Sequence, residues 1–177
     1  MSFSFDPFPE LLTSRLRLRD YKKGDYAQVF FLRSDKQVNK FIKRAPAKNM
    51  LEAEAFVKKV RKSMSEGKNV NWAITYLSDP DMIGSICIWN FSPDLKTGEI
   101  GYDLHPDHQK KGIMQEAMQA VIQYGFDILK LDNLKAYTNY TNLSSIKLLQ
   151  KNGFELTEEK DSDDKNNVIL RLKKSIN

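Results

Sequence analysis

The chain has 177 residues, 41% of them hydrophobic and 29% charged, a globular composition that excludes a disordered or fibrous polymer. Its 28 Lys and Arg against 23 Asp and Glu give a net charge of +5, which fits a polyanionic ligand and equally a plain solvated surface. A single cysteine, Cys87, excludes an internal disulfide and a cysteine-rich metal site, and no apolar run reaches the roughly 18 residues of a membrane span. The length predicts one domain over residues 1–177 with a core able to fold unaided. The opening M-S-F-S-F-D-P-F-P-E lacks a basic segment followed by an apolar one, so no signal peptide is expected. These totals predict a cytoplasmic monomer or homodimer with no metal, no membrane partner and no nucleic acid, because the basic residues are spread along the chain.

After an extended arm, Leu12, Ser14, Leu16 and Leu18 alternate with Thr13, Arg15, Arg17 and Arg19, which predicts one strand with a basic outer face. Gly24-Asp25 opens a helix whose apolar side is Ala27, Val29, Phe30 and Leu32. A second helix is expected from Leu51 to Glu66, with Leu51, Ala55, Phe56, Val60 and Met64 facing the core. Asn69–Leu77 and Met82–Phe91 read as a hairpin around Ser78-Asp79-Pro80-Asp81. Cys87, inside the second of these strands, reads as a core residue. Leu134–Thr138 is a further strand, and Asn142 opens a short helix that Asn152-Gly153 closes in the left-handed manner. Phe154–Thr157 and Val168–Leu172 are the last strands, joined by the acidic segment from Glu158 to Asp164.

The stretch from Thr97 to Ile128 carries the chemistry. Ile100, Tyr102 and Leu104 alternate with Glu99, Gly101 and Asp103 as in a half-buried strand, and Pro106 ends it. From Gly112 the period lengthens, and Met114, Ala117, Met118, Val121, Ile122, Gly125 and Ile128 lie along one helix face. Between the two elements, Gln109-Lys110-Lys111-Gly112 brings backbone amides and two cations to a helix N-terminus, a place suited to phosphate. The order β-α-α-β-β-β-α-β-α-β-β predicts an α/β (α+β) fold, a mixed sheet with helices on both faces. It excludes a dinucleotide fold, which alternates throughout and carries G-x-G-x-x-G.

These residues resemble the GNAT superfamily of acyl-CoA-dependent acetyltransferases over essentially the whole chain. Its signature, Gln/Arg-x-x-Gly-x-Gly/Ala between a strand and a helix, stands here as Gln109-Lys110-Lys111-Gly112-Ile113-Met114, with Met114 departing from the usual small residue. The companion Asn-x-x-Ser and Gly-Phe are Asn142-Leu143-Ser144-Ser145 and Gly153-Phe154. The run E-I-G-Y-D-L-H-P-D-H-Q-K-K-G-I and the early S-R-L-R-L-R are similar to the branch of ribosomal-protein N-terminal (alanine/serine) acetyltransferases.

The resemblance implies a mostly antiparallel sheet with a splayed parallel strand pair at its centre, formed by Glu99–His105 and Leu134–Thr138. It implies acetyl-CoA as cofactor, with coenzyme A as product. The pyrophosphate would lie on the amides from Lys110 to Met114, the pantetheine arm along Leu104 and His105, and Asn142 would bond the arm further on. Gln109, Lys110, Lys111, Gly112, Ile113 and Met114 are thus the expected cofactor loop.

Direct transfer to an amine needs a base, a polarised thioester and a proton for the leaving thiolate, and no covalent enzyme intermediate. Many relatives place a tyrosine one turn beyond the serine; Leu149 stands there, which leaves Ser145 as the expected proton donor. Glu99 is the expected base, with Asp161 and Asp164 as unaligned alternatives in the acidic segment. His105 and His108 read as loop or cofactor-side groups, and Trp72, Trp89, Phe91 and Tyr140 read either as core or as walls of an acceptor pocket. The acceptor is a primary amine, either a small molecule or a protein N-terminus. The same sequence admits a catalytically idle acyl-CoA-binding sensor or interaction domain.

Overall fold

The computed structural model describes residues 2–175. Their strands form one eight-stranded sheet in the order β1-β2-β3-β4-β5-β6-β8-β7. The strands are β1 (Leu11–Leu12), β2 (Leu16–Arg19), β3 (Asn69–Tyr76), β4 (Gly84–Trp89), β5 (Thr97–Leu104), β6 (Asn133–Asn139), β7 (Glu155–Lys160) and β8 (Asn167–Lys173). Four helices accompany them among the described residues: α1 (Tyr26–Ser34), α2 (Met50–Ser65), α3 (Ile113–Asp127) and α4 (Leu143–Lys151). Every neighbouring pair is antiparallel except β5 with β6, as the mixed-sheet expectation required.

Strand alternation sorts side chains to two layers. On one face, Trp72, Ile74, Ile86, Ile88, Ile100 and Leu134 pack with Ile113, Ala117, Met118 and Val121 of α3 and Leu149 of α4. On the other, Ala73 and Met82 pack with Val29 and Leu32 of α1 and Ala53, Val57 and Val60 of α2. The core face of α2 is therefore rotated from the expected one. Leu51 is 74% exposed and Ala55 is exposed, because Ala53, Val57 and Val60 form the stripe that packs on α1 and the sheet; Asn49 caps the helix at Glu52 N. Ile128 also falls outside the packed face, 65% exposed beyond the end of α3.

The first strand is not continuous. Thr13 Oγ1 accepts from Leu16 N at 2.9 Å and Thr13 N donates to Leu16 O at 3.0 Å, which closes a turn and folds Leu11–Leu12 back on β2. Nor is its polar side wholly solvated. Arg19 is 4% exposed; its Nη1 and Nη2 donate to the Asp25 carboxylate at 2.7 and 2.9 Å, and Nη2 also donates to Pro80 O at 2.7 Å. Asp25 Oδ2 in turn accepts from Lys22 N, which fixes the 3-10 turn Lys23–Asp25 ahead of α1.

At the far end β8, not β7, lies against β6, and β7 forms an edge. The strand reaches Lys160, so the connecting loop is shorter than the acidic run implied. The parallel pair spans only Thr97–Glu99 against Asn133–Lys135, although β5 continues to Leu104 and β6 to Asn139. Beyond those rungs the strands part.

Because Arg19 and Asp25 are both buried, removing one partner leaves the other charged and unpaired, at a cost of roughly 3–5 kcal/mol. Asp25→Ala should lower stability by that order in chemical denaturation. A loss below about 1 kcal/mol would show that the pair does not hold α1 to the sheet.

Candidate functional site

The turn after β5 is built by its own backbone. His105 caps the 3-10 turn Pro106–His108, with Nδ1 accepting from Asp107 N at 3.2 Å. The ring stacks on Phe31 at 4.3 Å. Lys110 and Gly112 then take left-handed φ values of 61° and 75°. The second suits glycine, and no side chain caps α3 behind it. The first amides of α3 therefore have neither an intrahelical partner nor a capping oxygen, and the exposed Lys110 and Lys111 stand beside them. Ile113 and Met114 bury their side chains in the core, which leaves only their backbone for a ligand. This arrangement fits a pyrophosphate: open amides, positive charge, and no Cβ at Gly112.

From here the cleft runs along the parting of β5 and β6. The amide of His105 donates to Ile83 O toward β4, so by strand alternation the backbone groups of Tyr102 and Leu104 face the gap. One of them is already engaged: Gln109 Nε2 donates to Leu104 O at 3.0 Å. Asn142 caps α4 through Oδ1, which accepts from Ser145 N at 3.2 Å, and the residue lines the same cavity. The Ser145 hydroxyl lies 2.7 Å from the Tyr102 phenol, and burial pushes that phenol up to about 12, so it stays protonated at neutral pH.

Glu99 lies on the opposite face of β5, across the sheet from Tyr102. Its floor neighbours follow the register, with Asn69 and Trp89 in one row, Asn71, Cys87 and Gly101 in the next, and Ser85 and Asp103 in a third. Asp103 is committed, accepting from Ser85 Oγ at 2.6 Å and Arg44 Nη2 at 3.0 Å. Glu99 Oε1 accepts from Asn90 Nδ2 at 2.6 Å. Burial, reinforced by the nearby Asp161, holds the Glu99 carboxyl above its ordinary value against that bond. Burial also pushes the Cys87 thiol up to about 12, which leaves it no thiolate character. Lys43 Nζ donates to Asp163 O at 3.2 Å, so the segment after α1 meets the β7–β8 loop over the groove. Cleft and groove form one cavity of about 1610 Å³.

The structure thus brings Gln109, Lys110, Gly112, Ile113, Met114, Asn142, Ser145, Leu104 and Glu99 around one cavity. Lys111 stands on the turn itself. His105 lies under Phe31, and His108, 3.1 Å from the Tyr76 hydroxyl, has its pKa lowered by burial and by His105. Of the four aromatic residues considered for an acceptor wall, Trp89 alone lines the cavity. Trp72 is buried with its Nε1 donating to Pro9 O, Phe91 packs on Phe3, and Tyr140 lies outside. Tyr102 escaped the sequence reading because its position on the buried side of β5 marks it as core; its partner lies 43 residues away.

Comparison with known proteins agrees with this geometry. The profile of the acetyltransferase (GNAT) domain family matches residues 15–155. The uncharacterized N-acetyltransferase YoaA of Bacillus subtilis (strain 168) is 28% identical over 148 residues, covering 84% of each chain. The uncharacterized N-acetyltransferase YnaD of the same strain is 31% identical over 144 residues, covering 81% of each. Among solved structures, the ribosomal alpha-N-protein acetyltransferase RimL in complex with coenzyme A shares the fold, with a TM-score of 0.76 at 19% identity over 92% of this chain and 96% of that one. Motif, splayed sheet and family profile coincide, and the chain belongs to the GNAT acetyltransferase family, as an N-acetyltransferase that takes its acetyl group from acetyl-CoA.

Proposed function

We propose that the chain acetylates the α-amine of a protein N-terminus by direct attack on the thioester, in the manner of the ribosomal-protein branch. The observation that carries the direct mechanism is the placement of Glu99 and the Tyr102–Ser145 pair on opposite faces of β5, at a gap open to both. The motif wording from Glu99 to Ile113 and the likeness in fold to RimL support the branch.

The amides of Lys110 to Met114 hold the pyrophosphate, the gap-facing backbone of Tyr102 and Leu104 pairs with the arm, and Asn142 Nδ2 donates to it. Bound acetyl-CoA supplies an acetyl group activated as a thioester. Glu99 takes the proton released as the amine nitrogen bonds to the acetyl carbon. Ser145 Oγ–H gives its proton to the sulfur as the carbon–sulfur bond breaks. The Tyr102 phenol, which stays protonated, keeps the serine oriented, and the serine takes its proton back from solvent in the open cleft.

The experiment is a turnover screen with acetyl-CoA against peptides with free N-termini, polyamines and aminoglycosides, read as thiol release. Peptide acetylation is the expected result. Binding of acetyl-CoA without turnover on any acceptor would favour the idle sensor domain instead, and transfer only to small amines would overturn the branch assignment. In the binding arm, Gly112→Glu strains a left-handed backbone and sets a carboxylate against the pyrophosphate. It should weaken acetyl-CoA binding at least about tenfold in calorimetry; an unchanged Kd would sink the loop assignment.

Ser145→Ala should lower kcat by about a hundredfold, the lower range of general acid catalysis, with little change in the KM for acetyl-CoA. Unaltered turnover would remove its role. A base must be deprotonated to act, so kcat/KM falls as pH drops through the Glu99 pKa. Burial raises that pKa, which places this limb above the ordinary carboxylate range but below the separate limb of the acceptor α-amine at roughly pH 8, and Glu99→Gln should abolish the lower limb alone. A lower limb that persists in the variant would assign the base elsewhere.

A further inference from the structure

The turn between β1 and β2 converges on one carboxylate 101 to 103 residues away. Glu116, in the first turn of α3, accepts at Oε1 from Thr13 Oγ1 at 2.6 Å, Ser14 Oγ at 3.1 Å and Arg15 N at 2.9 Å, and at Oε2 from Arg15 Nε at 2.6 Å. Burial works to raise its pKa, but the bonds from Thr13, Arg15 and Ser14 outweigh it and hold the group at about 2. The carboxylate is charged at any working pH.

Arg15 does more than neutralise it. Nη1 donates to Lys111 O at 3.1 Å, and Nη2 lies 3.4 Å from the place a Cβ on Gly112 would occupy. One guanidinium thus touches the cofactor turn at Lys111 and Gly112 while its other edge is fixed to the helix behind them.

Two physical needs meet here. A backbone with left-handed Lys110 and Gly112 persists only where its surroundings over-determine it. Holding the Lys111 carbonyl does so from outside the site. A bare carboxylate in the first helical turn would also oppose an anion at the same N-terminus, and its pairing with Arg15 removes most of that opposition. The arginine side chain is 47% exposed, so core packing does not account for it.

We propose that Arg15, seated by Glu116, is a positioning residue that presets the Lys110–Gly112 turn for the pyrophosphate of acetyl-CoA. This rests on the loop assignment above. Because Arg15 acts on the nucleotide end of the donor, its contribution depends on that end being present and not on the acetyl transfer itself.

The test compares two donors, acetyl-CoA and acetyl-pantetheine, which carries the same thioester without pyrophosphate or nucleotide. Arg15→Ala should raise the KM for acetyl-CoA about tenfold, the fold-change expected for losing a hydrogen bond from a charged group. Its kcat should stay within about twofold, and its kcat/KM with acetyl-pantetheine should match wild type. Arg15→Lys should resemble Arg15→Ala, since an ammonium cannot bridge Glu116 and Lys111 O as the fork does.

Equal losses with both donors would mark a general folding role and overturn the proposal, as would an unchanged KM for acetyl-CoA. Full rescue by Lys would assign the effect to charge alone and also overturn it. If Arg15→Ala does not fold, Glu116→Gln gives the same reading, because it keeps the side-chain shape and removes the acceptor for Arg15 Nε. An unchanged Kd in Gly112→Glu identifies failure of the loop assignment separately, whatever the Arg15 variants do.

Discussion

The site depends on hydrogen bonds that the sheet does not make. β5 and β6 pair over three rungs and then separate, although both strands continue. Backbone N–H and C=O groups removed from water need partners, so the open edge of β5 is a row of unsatisfied demand. Gln109 meets part of it at Leu104 O, and an extended ligand arm meets the rest as an added strand would. Around this gap the fold supplies a helix start for phosphate at one end and the Ser145–Tyr102 pair where α4 crosses. The full pairing of β6 with β8 keeps the second wall of the gap rigid although its first wall has left it.

Two glutamates show how position decides chemistry. Glu99 and Glu116 are each partly withdrawn from water, which by itself raises a carboxyl pKa. Glu116 is surrounded by four donors and drops to about 2, becoming a permanent charge on which a turn can be anchored. Glu99 has the Asn90 amide and a neighbouring acidic residue, and it stays above its ordinary value, available to exchange a proton. Asp103, on the same strand face as Glu99, is committed to Ser85 and Arg44 and serves the groove as structure.

Much of the fold was legible because periodicity reports burial directly. The β5 alternation and the longer period of α3 emerged as expected, and Asn142 and Gly153 cap α4 as their residue types imply. The readings that needed revision share a cause. The break at Thr13–Arg15, the burial of Arg19 and the rotated face of α2 were set by contacts that residue type and alternation do not report: the Thr13–Leu16 turn, the Asp25 and Pro80 partners, and the packing of α2 on α1. An arginine on an alternating strand looks solvated unless Asp25 and Pro80 are known to lie beside it.

The sequence by itself determined the order of elements, the glycine at a left-handed helix start, the two family motifs and hence the cofactor, since each is a local pattern of residue types. Only the tertiary structure decided which groups meet: Tyr102 with Ser145, and Arg15 with both Glu116 and Lys111. The physical reason is that these contacts join segments about 40 to 100 residues apart, through a sheet register no local pattern encodes.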